Sequence, residues 1–436
     1  MTESLKRTLG SRDLTLLVVG NVIGSGIFLV PASVLKQSGE SMPIAIAVWL
    51  VGGVLSLMGA LSYAELGGMD PGAGGLYAYI RDGFGAFPAF LYGWTLFFVI
   101  GAGTIATLAV AAADYMTQFT PMSPMQKSIV AVTLIVIMAV INVRGTKGSA
   151  SVQNLATGIK VLAILAMSAL LFMMGKGSTM TAVAHTVSTV SVSGVGLSII
   201  SVLWAYEGWQ YVTFVAGEAK DPQRTIPRAL IIGTLILIGI YIIANFAYVA
   251  ALGTARMAAS DRVAGEAVAE VLGPTAGKAI ALAIIISMYS AAHATVITVP
   301  RVYFAMARDG LFFRKLTEIH PTYGTPAVAV VTSCAWAAVL AMTGTFQQLL
   351  TYVVFIGWIF YALGAAAVIA LRIKRPDAAR PFRVPGYPVT PALFVLAAAV
   401  IVGNTVISQP GQAAIGIGVV MLGAPAYLVW KRRLAR

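Results

Sequence analysis

Val18-Val19-Gly20-Asn21-Val22-Ile23-Gly24-Ser25-Gly26-Ile27-Phe28-Leu29-Val30-Pro31 is apolar enough to cross a bilayer, yet it carries three glycines in its middle. Close helix packing would account for Gly20-x-x-x-Gly24, a small-xxx-small pattern. Ser25 between two glycines adds further poor helix formers, and unwound backbone is tolerated at mid-membrane depth only where it is buried in protein or lines a cavity. A break there exposes the first N–H groups of the following half-helix. Those groups and the half-helix dipole suit a carboxylate. From the pattern alone, packing and a solute-binding site both stand.

Working outward, the 436 residues are 58% apolar and 10% charged, against about 25% charged in an average soluble domain. A soluble surface cannot be built from that composition. At about 20 residues per membrane span the chain holds a dozen helices joined by short loops, so we expect one polytopic domain over 1–436. Lys6, Arg7 and Arg12 before an apolar run ending near Pro31-Ala32-Ser33 also fit a cleavable signal peptide. The length of that run, and eleven further apolar stretches, favour a first span. Cys334 is the only cysteine and can form no internal disulfide.

Hydropathy and punctuation place spans near 13–36, 42–67, 87–116, 125–142, 153–174 and 194–217, then near 228–252, 277–306, 327–343, 346–370, 390–408 and 411–430. The 29 Lys and Arg residues test the assignment. Twenty-one fall in loops on the side of the N-terminus and six on the other (Lys36, Lys127, Lys176, Arg256, Arg262, Lys278), with Lys160 and Arg301 inside spans. By the positive-inside rule both termini are cytoplasmic, in a cell (inner or plasma) membrane protein. Topology and the lipid bilayer then explain the net charge of +13, and nucleic acid needs no place in the account. Between spans seven and eight, residues 258–273 carry Val263, Ala267, Val268 and Val271 on one helical face, which predicts a short amphipathic helix.

A second break is predicted in span six, in Trp204-Ala205-Tyr206-Glu207-Gly208-Trp209. Paired interrupted helices in matching positions are the best sequence pointer to a transporter's midplane site. Gly208 permits unwinding, and the carbonyls freed before it suit an ammonium group, so the two breaks together suit a zwitterion. Trp204, Tyr206 and Trp209 could equally wall a pocket or pack against neighbouring helices. Glu207, so deep, reads as a proton carrier, a partner for a cationic solute, or an acceptor for loosened backbone N–H groups. Lys160 lies about 13 Å along span five, too deep to snorkel comfortably, and is expected to face inward as a substitute for a bound cation or as a titrating group. Arg301, nearer a membrane edge, is expected to snorkel or contact a loop, and His293 to be a packing histidine.

These residues make the chain recognisable. It resembles the amino acid-polyamine-organocation superfamily, and within it bacterial members of the L-type amino acid transporter family. The resemblance is carried by GlyAsnValIleGlySerGlyIlePhe (20–28), TyrAlaGluLeuGly (63–67), GlyAlaGlyGlyLeuTyrAlaTyrIle (72–80), AsnValArgGlyThrLysGlySerAla (142–150), AlaTyrGluGlyTrpGln (205–210), AlaGlyGluAlaLysAspProGlnArgThrIlePro (216–227), AlaMetAlaArgAspGlyLeuPhe (305–312) and ProPheArgValProGlyTyrPro (381–388). It implies an all-α membrane protein of 12 transmembrane helices with a leucine-transporter-like five-plus-five inverted repeat. Helices 1 and 6 would be broken, repeat one would cover about 13–174, repeat two about 194–370, and two extra helices about 390–430.

The resemblance also implies roles. Backbone at Ile23, Gly24, Ser25 and Gly26 would hold the substrate carboxylate. Carbonyls at Trp204, Ala205 and Glu207 would hold its amino group, beside Tyr206 and Gly208, and Trp204 would be the outer gate. Lys160 would stand where sodium-dependent relatives hold a sodium ion. No cofactor or metal is expected. Residues 117–126 lack the cysteine by which some members join a heavy chain, so no disulfide-linked partner is expected either. His293 departs from the small residue or Asn of many relatives and leaves substrate choice open. The expected activity is sodium-independent exchange of neutral L-amino acids. The alternatives are a proton-coupled symporter that could accept cationic amino acids and, remotely, an intramembrane hydrolase using Ser25 and His293, against which Ile23 stands where a rhomboid-type motif needs glycine.

Overall fold

The computed structural model describes residues 5–175, 192–343 and 346–434. Lys176 and Arg436, both used in the charge count, lie outside them. Among the described residues the chain is built of helices and their connecting turns and loops, and its one β-type pairing is an isolated bridge, Leu9 to Ala219. In chain order the helices are α1 Ser11–Val22, α2 Gly26–Gln37, α3 Met42–Met69, α4 Leu76–Phe84, α5 Ala86–Met116, α6 Pro124–Val143, α7 Thr146–Met174 and α8 Val192–Ala205. Tight 3-10 turns over Trp209–Glu218 follow. Then come α9 Pro222–Ala259, α10 Val263–Leu272, α11 Pro274–Arg308, α12 Ala327–Thr343, α13 Phe346–Lys374, α14 Val389–Ser408 and α15 Pro410–Leu434.

Every predicted span corresponds to a helix or a broken helix pair, with ends displaced by a few residues. The largest displacements are at α7, which begins at Thr146, and α9, which runs from Pro222 to Ala259. Among the described residues nine helices are long and apolar enough to cross a membrane, and a tenth span results if the bent pair α1 and α2 is one. α12 is apolar but shorter. Local chemistry sets several starts. Ser123 and Gln126 form a reciprocal capping box ahead of α6, and Asp13 accepts the Gly10 amide at 2.8 Å to open α1.

α1 packs against α7 and α9, α3 lies along α9, and α5 lies along α11, so the first helix pair is enclosed by the others. The opposite faces are greasy. Leu155 and Leu162 of α7, and Leu396, Val400 and Ile407 of α14, are exposed, a pattern that suits lipid and would be an aggregation hazard in water. The amphipathic segment is helical as α10. Val263, Ala267 and Val268 are buried and Val271 half-buried, against α2, α7, α9 and α11.

Arg301 was expected to snorkel or to contact a loop, and it takes the second course, meeting Glu218 and Thr146 between the predicted spans. Rather than snorkelling it is 1% exposed, its Nε donating to Glu218 Oε1 at 2.7 Å and its NH2 to Thr146 Oγ1 at 3.0 Å. A buried guanidinium is retained where a carboxylate and further acceptors meet it. The same Glu218 is tied to the N-terminal segment, since its carbonyl accepts the amides of Thr8 and Leu9.

Candidate functional site

α1 and α2 meet at a 47° bend across Ile23, Gly24 and Ser25. Ile23 leaves the helical range with ψ at 88°, and the Gly24 amide turns back onto the Val22 carbonyl at 2.8 Å. The first amides of α2 therefore have no carbonyl one turn behind them. Gly26 is required by proximity: a Cβ there would stand 2.5 Å from Ala205 Cα, so the two broken segments touch backbone to backbone.

The second break falls between Ala205 and Trp209. Gly208 takes φ 115°, a left-handed value that a residue with a Cβ adopts only under strain, and the chain resumes as 3-10 turns. The Trp204 carbonyl accepts the Glu207 amide at 3.0 Å, and the Ala205 carbonyl accepts the Tyr241 hydroxyl at 2.8 Å.

Lys160 fixes the first break from behind. Fully buried, its Nζ donates to the carbonyls of Gly20 at 2.8 Å and Ile23 at 2.6 Å, with no carboxylate partner among the described residues. Ser287 Oγ lies 3.1 Å from the Ile23 carbonyl and 3.3 Å from that of Gly24, within donating range of both. A trans peptide points its C=O and N–H in opposite directions. The Gly24 carbonyl faces Ser287, so the Ser25 amide faces away from it.

A cavity of about 20 Å³ lies between the breaks, lined by Asn21, Val22, Gly24, Ser25, Gly26, Thr104, Leu108, Trp204 and Glu207. That is room for a water or two, so an amino acid requires the walls to part. Both polar atoms of the Asn21 side chain and the Ser25 hydroxyl are buried there without a partner. Glu207 Oε1 accepts Gln210 Nε2 at 2.7 Å and the Tyr361 hydroxyl.

The sequence-predicted residues separate into groups. Gly24, Ser25, Gly26, Trp204 and Glu207 line the cavity, while Ile23, Ala205 and Gly208 shape its walls through backbone. Tyr206 points elsewhere, its ring 6.0 Å from that of Trp49 and 5.0 Å from that of Tyr241. Trp209 packs on Tyr63, ring centres 5.0 Å apart. Buried His293 sits beside Gln153, its Nδ1 3.3 Å from Oε1.

Asn21, Thr104, Leu108, Ser287, Gln210, Tyr241 and Tyr361 were not singled out from sequence. Asn21 did carry a signal, being an uncharged polar group mid-way through the first apolar run. A serine or tyrosine inside an apolar helix carries much less, since 16 tyrosines are spread along this chain.

The family described as amino acid permease matches residues 9–429. A serine/threonine exchanger of Bacillus subtilis is 33% identical over 99% of both chains. The large neutral amino acids transporter small subunit 2 of mouse is 31% identical, covering 98% of this chain and 81% of its own. The human cystine/glutamate transporter is also 31% identical, over 97% and 86% of the two chains.

Proposed function

The chain belongs to the amino acid permease family and is a membrane transporter rather than an enzyme, and from that premise we propose that it exchanges neutral L-amino acids, without sodium, by alternating access. The observation that carries this reading is the pair of facing breaks. Unwound backbone at Gly24-Ser25-Gly26, with the Ser25 amide turned from Ser287, stands across a small cavity from Trp204 and Glu207.

In this reading the substrate carboxylate takes the amides of Ser25, Gly26 and Ile27 at the positive end of α2. The ammonium takes carbonyls at the second break. The Glu207 carbonyl is the most accessible of these, because those of Trp204 and Ala205 already accept a bond each. Trp204 closes the cavity from outside. The Lys160 ammonium, held by two carbonyls at the edge of an unwound segment, does electrostatically what a small cation would do there, and this supports independence from sodium.

The same reading takes the chain as twelve spans arranged as two five-span repeats and two extra helices. Twelve result when α1 with α2 counts as one span, α8 with the following 3-10 turns as another, and α12 as a short one. Both termini are then cytoplasmic in a cell membrane. The single cysteine, Cys334, is buried, which supports operation without a disulfide-linked heavy chain.

Uptake into proteoliposomes, with a panel of labelled amino acids, tests the proposal. We expect saturable uptake that needs amino acid inside, is indifferent to sodium, and does not follow an imposed pH gradient. Uptake driven by the proton gradient without internal substrate would replace exchange by symport, and no uptake of any amino acid would remove the function altogether.

A further inference from the structure

A second, larger cavity of about 230 Å³ opens where α2, the end of α5 and the connector to α10 meet. Leu29 and Ala111 supply its apolar wall. Asp114, Tyr115 and Gln118 of the α5 end, with Asp261 and Arg262 ahead of α10, supply polar groups of both signs. An apolar cavity of about 150 Å³ already admits a benzene-sized guest, so this one has room for an amino acid.

The polar groups are available. Asp114 holds Lys127 at 2.8 Å, but neither Asp261 nor Arg262 has an ion-pair partner among the described residues, and both are exposed. Tyr115 is 8% exposed, and its buried hydroxyl has no hydrogen-bond partner. A cation alone is a poor match, because a free guanidinium stands beside the carboxylates, and no described cluster of His, Cys, Asp or Glu could hold a metal.

The cavity is also in line with the break. On α5, Thr104 and Leu108 line the inner cavity while Ala111 and Tyr115 line the outer one, and these four positions fall on one helical face. On α2, Gly26 and Leu29 relate the two cavities in the same way. From Leu108 to Ala111 is three residues, about 4.5 Å along the helix.

We propose that this outer cavity is a second amino acid site, which takes the zwitterion before it reaches the break. Arg262 receives the α-carboxylate, Asp261 the α-ammonium, and the Tyr115 hydroxyl gives one directed bond. The proposal rests on the amino acid transport reading above, and its test separates the two. Equilibrium binding of the amino acid with the highest flux in the uptake panel is measured on the purified protein, together with exchange kinetics from each face.

The unsubstituted protein is expected to bind two equivalents, one of them weakly. Arg262→Gln should bind one and raise KM on the outer face at least fivefold, with kcat within twofold and the inner-face KM unchanged. Tyr115→Phe, which keeps the ring packed, should raise the same KM by a smaller factor. Exchange with a single equivalent bound, or an outer-face KM unmoved in both variants, overturns the second site and leaves the transport reading intact. Absence of exchange in the unsubstituted protein overturns both.

Discussion

The Lys160 ammonium supplies the donor that the unwound carbonyl of Gly20 would otherwise lack, and it shares the carbonyl of Ile23 with Ser287. An unmet buried carbonyl costs about 1–3 kcal/mol, and here the loss falls on the segment that leads directly into the binding amides. Lys160→Ala should therefore reduce exchange at least tenfold while the protein still elutes as a single folded species; unchanged kinetics would remove the lysine from the mechanism. Glu207 makes a different case. Its Oε1 accepts from Gln210 and Tyr361, and a glutamine oxygen can accept the same two bonds. If the side chain serves to anchor the second break, Glu207→Gln keeps most of the exchange and Glu207→Ala loses it. Loss of exchange in Glu207→Gln would show that the negative charge itself is needed. The sequence showed that both groups were too deep to be idle. It could not show that Glu207 bonds side chains rather than loosened amides, because Tyr361 is 154 residues away.

The breaks were legible as elements because glycine patterns are local. The bend between α1 and α2 falls on the glycines themselves, and Gly208 takes the left-handed value that its position invites. What they face was less legible. Tyr206 and Trp209 flank the second break in sequence, yet both rings pack into helices, because unwound backbone obeys no helical wheel. The close contact of the two breaks yields a prediction with opposite outcomes at adjacent residues. Gly26→Ala pushes a methyl to 2.5 Å from Ala205 Cα, so one break must recede, and we expect at least a tenfold loss of exchange. Ser25→Ala removes a hydroxyl that has no partner and leaves the amide in place, so exchange should stay within about threefold. Both are read in the proteoliposome assay; equal losses would refute binding through the backbone.

At the scale of the whole molecule, charge asymmetry carries the orientation, because apolar helices are indifferent to direction and the loop lysines and arginines are not. α11 gives a sharp test. Its 35 residues extend about 52 Å, more than the roughly 30 Å of hydrocarbon in a bilayer, so its ends must emerge on opposite sides if it spans. Lys278 near its start and Arg314 just past its end are both exposed, and the charge count assigns them to opposite faces. Cys334 is the only native thiol, so Cys334→Ser gives a clean background for single cysteines. In whole cells, Lys278→Cys should react with a membrane-impermeant maleimide added outside. Arg314→Cys should react only after the membrane is opened. Labelling of both from outside would place an even number of crossings between them and undo α11 as a span, and the reverse pattern would invert the protein. Inversion would also exchange the two mouths, making the cavity at Tyr115 and Arg262 an exit rather than an entrance.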